Sequence, residues 1–100
     1  MKLREDSKGG RQEDVRRVRL ARRDRALASR FWYWSEVRRR RHDDVLGVLG
    51  DCEFFLDVQT VSRILVRESG YISELSRSEG ASALRRLKRA YPQWSWKEGG

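Results

Sequence analysis

The stretch that decides the fold covers residues 57–68 and reads DVQTVSRILVRE. At the helical advance of about 100° per residue, its regularly spaced apolar side chains share one side: Val61, Ile64 and Leu65. Asp57 stands where an N-cap residue accepts from free backbone N–H groups, and Gly70 stands where a left-handed residue often ends a helix. The pattern therefore predicts a short helix, residues 58–67, that packs by one side and leaves the other in solvent.

The second side of this helix carries five polar side chains: Gln59, Thr60, Ser62, Arg63 and Arg67. Glutamine pairs well with adenine, arginine with guanine or a phosphate, and a threonine methyl group contacts thymine. These residue types on one face are typical of a helix that reads base edges in DNA, so all five are candidate base-reading residues. An ordinary amphipathic helix with a polar solvent face gives the same pattern, and the rest of the chain has to distinguish the two interpretations.

The charge of the chain is high and unevenly distributed. The net charge is +8, from 23 Lys or Arg and 15 Asp or Glu. Residues 1–41 carry 15 basic against 6 acidic residues, residues 42–70 carry 2 against 6, and residues 71–100 carry 6 against 3. Rows of cations gain affinity for nucleic acid by releasing its condensed counterions, so we expect double-stranded DNA as the partner.

Six arginines are candidates for contacts with DNA phosphates: Arg16, Arg17, Arg38, Arg39, Arg40 and Arg41. The last four are consecutive and stand directly before the next predicted helix, which favours a phosphate clamp. The alternative is a solvated helix end, where arginine also complements the negative end of the helix dipole.

Several classes of function are disfavoured by what the sequence lacks. No stretch approaches the ~18 apolar residues of a membrane span, and the N-terminus has no apolar core of a secretory signal; a cytoplasmic, nucleoid-associated protein is expected. Cys52 and His42 are single residues of their types, which excludes an intrachain disulfide and a zinc finger. No nucleotide-binding loop, zinc-protease motif or nucleophile elbow occurs. We predict no catalytic residue, no metal, no cofactor and no enzymatic activity.

The N-terminal half predicts one long helix. Residues 12–41 contain no Gly or Pro, which favours a helix, and four large apolar residues fall on one narrow face: Leu20, Leu27, Phe31 and Trp34. Residues 43–50 predict a short helix that Gly50 ends, with Gly47 inside it at the close approach of a crossing helix. Residues 51–56 predict a long turn whose Phe54, Phe55 and Leu56 plug the corner between the two helices.

The C-terminal part predicts two further helical pieces, over residues 71–75 and 82–91, the second stopped by Pro92. Trp94 and Trp96 are expected to fold back on the domain or onto a dimer mate. The fold class is therefore all-α, with a long N-terminal helix, two helices joined by an extended turn, and a C-terminal helix. The predicted organisation is a basic flexible arm over residues 1–14, one helical DNA-binding domain over 15–96 and a tail over 97–100.

Residues 56–65, which read LDVQTVSRIL, are similar to the second half of the helix-turn-helix of bacterial repressors, where a Thr-Val-Ser-Arg run opens the recognition helix. The predicted turn over residues 51–56 is longer than the repressor turn of about three to four residues, and in this respect the chain looks more like the Trp-repressor-like group. The strings RFWYWSE at residues 30–36 and YPQW at 91–94 also resemble small transposase-like proteins of mobile elements. These resemblances imply a DNA-binding protein with a recognition helix.

The function expected from the sequence is duplex DNA reading by a major-groove helix, in a homodimeric transcriptional regulator or an accessory factor of a mobile element. Two other functions stay open. A protein-interaction adaptor would use the Trp-rich seam and tail, and a non-specific RNA or single-strand binder would stack bases on the same aromatic residues.

Overall fold

The computed structural model describes residues 2–98, with side chains described from residue 12 onward. These residues form helices and contain no strand, which confirms the predicted all-α class. The helices in this part of the chain are α1 (Lys2–Trp32), α2 (His42–Gly47), α3 (Val58–Arg67), α4 (Ser69–Arg77) and α5 (Gly80–Ala90). Both α1 and α2 continue without a break into wider π-helical turns, over Tyr33–Val37 and Val48–Glu53. Of the predicted tail, residues 99–100 lie outside the described residues.

Helix α1 is longer than the sequence predicts, and half of its described length makes no core. It begins at Lys2 rather than near residue 12, so residues 2–14 of the predicted flexible arm belong to the helix; no proline interrupts this stretch. Every residue from 12 to 22 is exposed. Leu20, predicted to belong to the packed seam, is 40% exposed because the other helices pack against the second half of α1. The buried seam therefore begins at Leu27.

The first core fixes α3 in place. It lies between α1, α2 and α3 and consists of five fully buried side chains: Leu27, Val45, Leu49, Val61 and Ile64. Leu65 is half-buried beside them. The predicted inward side of α3 is confirmed. Burial of each such side chain stabilises the fold by roughly 1.5–3 kcal/mol, so α3 has one strongly preferred orientation about its own axis.

The second core joins the end of α1 to α4, α5 and the segment after α5, which we call the aromatic tail (residues 91–98). Its buried members are Trp32, Tyr33, Leu75, Ala83, Leu84, Leu87 and Trp96. The Trp96 indole N–H donates to the carbonyl of Tyr91 at 2.8 Å, and the Tyr33 hydroxyl donates to the carbonyl of Lys97 at 2.6 Å. The aromatic tail thus folds back on its own domain, as predicted, and α5 ends before Pro92.

The connection between α2 and α3 is shorter than predicted. Gly50 does not end the helix as predicted, because the π-helical continuation of α2 reaches Glu53. This leaves residues 54–56 before the N-cap Asp57, where the sequence predicted residues 51–56. The backbone N–H of Leu56 donates to the Gly50 carbonyl at 2.9 Å, and a Cβ on Gly50 would lie 2.6 Å from the Leu56 carbonyl oxygen. A Cβ on Gly47 would meet nothing within 4 Å. The close approach of a crossing helix predicted at Gly47 is therefore wrong; the close approach is at Gly50, to the backbone of the turn.

Two further predictions about element ends and corners are wrong. Gly70 does not end α3 in a left-handed conformation; it lies inside α4, and α3 ends at Arg67. Phe54 and Leu56 are half-buried at the corner as predicted, and Phe54 stacks on Trp94 with ring centroids 5.2 Å apart. Phe55, in contrast, is 77% exposed and has a backbone φ of 57°, so two of the three side chains fill the corner.

Candidate nucleic-acid interface

The start of α3 is fixed by a capping hydrogen bond. The backbone N–H of Thr60 donates to the Asp57 carboxylate at 2.7 Å, which is the N-cap predicted from the sequence. This hydrogen bond holds the pKa of Asp57 below its ordinary value, since it favours the charged form of the carboxylate; the charge of nearby Arg63 acts in the same direction. The cap defines the first turn of α3 and therefore the direction in which Gln59 and Arg63 point.

The solvent side of α3 is centred on Gln59, Arg63 and Val66, which we call the outward face. Gln59 and Arg63 are one turn apart, both are exposed, and neither side chain forms a hydrogen bond or ion pair with the residues that the structure describes. Val66 follows Arg63 by three residues on the same side of α3 and is 73% exposed. Two of the predicted base-reading residues, Thr60 and Ser62, are half-buried at the edges of this face. The outward face thus combines an amide, a guanidinium and an apolar group. The sequence analysis did not assign Val66 to this face because an apolar residue interrupts the polar pattern.

Arg67, the fifth predicted base-reading residue, is engaged within the protein. Its guanidinium donates to the Asp24 carboxylate of α1 at 2.9 Å, and the other oxygen of that carboxylate accepts from Arg23. One residue along the chain, Glu68 accepts from Arg25 of α1 at 2.7 Å. These two links tie the C-terminal end of α3 to α1. Arg67 is still exposed, with 62% of its side chain accessible, but its ion pair with Asp24 directs it toward α1 rather than toward the outward face.

Arg25 and its neighbours on α4 form a polar patch that supports these links. The hydrogen bond to Glu68 raises the pKa of Arg25, and its guanidinium lies 4.1 Å from the centre of the Tyr71 ring. Burial raises the pKa of the Tyr71 phenol, whose hydroxyl is 2.6 Å from that of Ser29. At neutral pH the phenol is therefore uncharged, and the Tyr71 side chain packs against α1 as a neutral group.

The four consecutive arginines form a turn between α1 and α2, which we call the arginine turn (residues 38–41). Arg38 is half-buried: it donates to the Tyr33 hydroxyl at 3.3 Å and lies 5.6 Å from the Trp34 ring centre. Arg39 and Arg40 are exposed, and Arg39 has a φ of 55°. Arg41 is exposed at the N-cap of α2. Three guanidinium groups therefore stand in solvent directly before the helix that supports α3.

The remaining predicted phosphate contacts, Arg16 and Arg17, lie on the exposed half of α1. Both are exposed, and Arg17 is 4.0 Å from Asp14 one turn earlier. An ion pair this exposed contributes little to stability. Asp14 would therefore compete only weakly with a phosphate for Arg17. The second half of α1 and the π-helical turn Tyr33–Val37 separate these two arginines from the arginine turn, so the six candidates lie in two regions of the structure.

Sequence reasoning missed a buried polar group with several partners. Arg30 is 3% exposed and forms two hydrogen bonds with the Glu53 carboxylate, at 2.9 and 2.7 Å, and a third with the Ser95 carbonyl. Four aromatic rings surround its guanidinium at 4.8–5.4 Å: Tyr33, Trp34, Trp94 and Trp96. The Trp34 indole N–H also donates to Glu53 at 3.0 Å. This cluster joins α1, the π-helical continuation of α2 and the aromatic tail.

An apolar groove of about 420 Å³ runs beside the outward face. It is lined by Phe31, His42, Ser62, Leu65, Val66 and Ile72 together with two serines of α4. The Phe31 and His42 rings meet edge to face at 5.8 Å. Ser62 thus forms part of the groove wall, which explains its partial burial.

Within residues 2–98 no helix combines the length and apolar character needed to cross a lipid bilayer. Among the described side chains, residues 12–98, no group of three or more His, Cys, Asp or Glu is placed to hold a metal ion. The chain matches no protein-family model, no curated protein and no solved structure. The class that the fold defines is a small all-α domain in which α2, a short turn and α3 pack on a long helix.

Proposed function

We propose that the chain binds duplex DNA by inserting the outward face of α3 into the major groove, as a homodimeric transcriptional regulator or an accessory factor of a mobile element. One observation carries the proposal: Gln59 and Arg63 are exposed and have no hydrogen bond or ion pair with the described residues, on a helix whose opposite side buries Val61 and Ile64 completely. Bidentate hydrogen bonding to a base edge needs side chains without partners in the protein. It also needs a helix whose rotation about its own axis is fixed by packing. Val66 supplies an apolar contact for a thymine methyl group.

The distribution of charge supports the same proposal. The arginine turn presents Arg39, Arg40 and Arg41 in solvent at the start of α2, where they can pair with phosphates and set the register of the protein on DNA. Arg16 and Arg17 add a second cationic region on α1. Contacts of this kind bind all sequences alike and weaken with salt, whereas contacts from α3 distinguish sequences.

The two other functions, the protein-interaction adaptor and the RNA or single-strand binder, have less exposed aromatic surface available to them. An adaptor that docks through the tryptophans needs them free, but Trp32 and Trp96 are buried and Trp94 is stacked on Phe54. Base stacking on a single strand needs an open ring face. Trp34 has the Arg30 and Arg38 guanidinium groups against its ring.

Selection of bound sequences from random duplex DNA, followed by titration of the selected and of a random duplex at two salt concentrations, tests the proposal. Arg63→Ala is expected to weaken binding to the selected duplex by about 1–3 kcal/mol and to weaken binding to the random duplex less. Arg85→Ala is the matched control, because it removes the same charge from an exposed position of α5. Equal losses on both duplexes, or equal losses for the two variants, would refute base reading by α3.

A further inference from the structure

Phe55 occupies a position that the fold itself does not favour for a phenylalanine. It lies in the turn before α3, with a left-handed φ of 57°, where glycine is the usual residue because it has no Cβ. The ring is 77% exposed, so burial does not offset the unfavourable backbone. Val58, three residues later, is exposed as well. A side chain that neither suits its backbone nor packs on its own domain indicates a contact with another molecule.

The charge around Phe55 favours a cationic surface on that molecule. Residues 42–62 contain five Asp or Glu and no Lys or Arg. Asp51 and Asp57, which flank Phe55 in the chain, are both exposed. These carboxylates would attract a cationic surface, and the exposed Phe55 ring would pack on an apolar one.

The exposed half of α1 offers such a surface. Val15, Val18 and Arg22 are spaced by three and four residues and therefore lie on one face of the helix, which we call the docking strip. Val15 and Val18 are 48% and 49% exposed. Arg22 is also exposed, and the strip is bordered by Arg19 on one side and by Asp14, four residues before Val18, on the other. Arg16 and Arg17 point away from this strip, so docking would leave them free for phosphates.

We propose that Phe55 and Val58 of one chain dock on the docking strip of a second copy, with Arg22 beside Asp51 and Asp57. A two-fold axis repeats the contact in the opposite direction, so each copy offers one acidic, apolar patch and receives one. Because the contact occurs twice, the dimer buries twice the area of one contact. A specific dimer interface buries on the order of 1,000 Å² or more in total. This interface rests on the homodimer of the proposed function but not on DNA binding.

Sedimentation of the full chain without DNA, over a range of concentrations, tests the interface. The wild-type protein is expected to be a dimer. Phe55→Gly removes the ring and suits the backbone, so it is expected to raise the dimer Kd at least about tenfold. At a concentration where both proteins are monomeric, its Tm is expected to equal or exceed that of wild type.

The docking strip has its own matched pair of variants. Val18→Glu places a carboxylate against the acidic patch and is expected to weaken the dimer at least about tenfold. Leu20→Glu makes the same change two residues away, at an exposed position about 160° around the helix, and is expected to leave the dimer intact. A monomeric wild type, a dimer unaffected by Phe55→Gly, a lower Tm of monomeric Phe55→Gly, or equal effects of the two α1 variants would overturn the interface. None of these results changes the comparison of Arg63→Ala with Arg85→Ala on DNA, so the two proposals fail separately.

Discussion

Removal of the Glu53 carboxylate tests how the aromatic tail is held. Arg30 is 3% exposed, and its ionic partner is Glu53, whose side chain is 10% exposed. Glu53→Ala leaves the Arg30 guanidinium with one carbonyl and four rings, and it also removes the acceptor of the Trp34 indole N–H. Breaking a buried ion pair by removing one partner costs about 3–5 kcal/mol. A loss of about 3 kcal/mol lowers the Tm of a chain of this size by about 12–24 °C.

Urea unfolding at neutral pH, followed by far-ultraviolet circular dichroism, measures this loss. Glu36→Ala is the matched control: it removes a carboxylate from an exposed position at the end of α1, and it should change the free energy of unfolding by no more than about 0.5 kcal/mol. Replacing Arg30 and Glu53 together by methionine should destabilise less than Glu53→Ala, because no buried charge is then left unpaired. A loss below about 1 kcal/mol for Glu53→Ala, or a double methionine variant that is no more stable than Glu53→Ala, would refute this description of the cluster.

Two further predictions concern the helices around the α2–α3 turn. Gly50→Ala should destabilise the fold, since the added Cβ would lie 2.6 Å from the Leu56 carbonyl oxygen, whereas Gly47→Ala, with open space around it, should be neutral or should stabilise α2 by up to about 1 kcal/mol; similar urea midpoints for the two variants would be inconsistent with the close approach at Gly50. The lowered pKa of Asp57 means that its hydrogen bond to Thr60 contributes stability above the ordinary pKa of an aspartate and loses it as the pH falls through the lowered value. Asp57→Ala should therefore be less stable than wild type at neutral pH and equally stable in strong acid, and a difference that persists in acid would contradict the capping role.

Short-range features of the sequence predicted the local structure well. The bounds of α3, its N-cap at Asp57 and its buried side follow from periodicity and capping chemistry, both of which operate within one or two helical turns. The end of α5 follows from Pro92 in the same way. The position of the outward face was predictable for Gln59 and Arg63 because it is the complement of the buried stripe.

Features that depend on contacts between distant residues could not be predicted. The Arg30–Glu53 pair joins residues 23 apart, and neither neighbourhood in the sequence distinguishes it from an ordinary surface charge. Leu20 has the helical spacing of a core residue but lies beyond the reach of the other helices. The roles of Gly47 and Gly50 depend on where the turn folds back, and that position is set by the π-helical continuation of α2, for which the sequence carries no recognisable signal.

The most direct measurement of whether α3 enters DNA is the change in backbone amide resonances when duplex of the selected sequence is added to the isotopically labelled protein. Insertion of the outward face predicts that the amides of Gln59, Arg63 and Val66 shift most, followed by those of the arginine turn, while the exposed side of α5 around Arg85 stays unchanged. Shifts concentrated in the aromatic tail, with α3 unaffected, would contradict DNA reading by this helix.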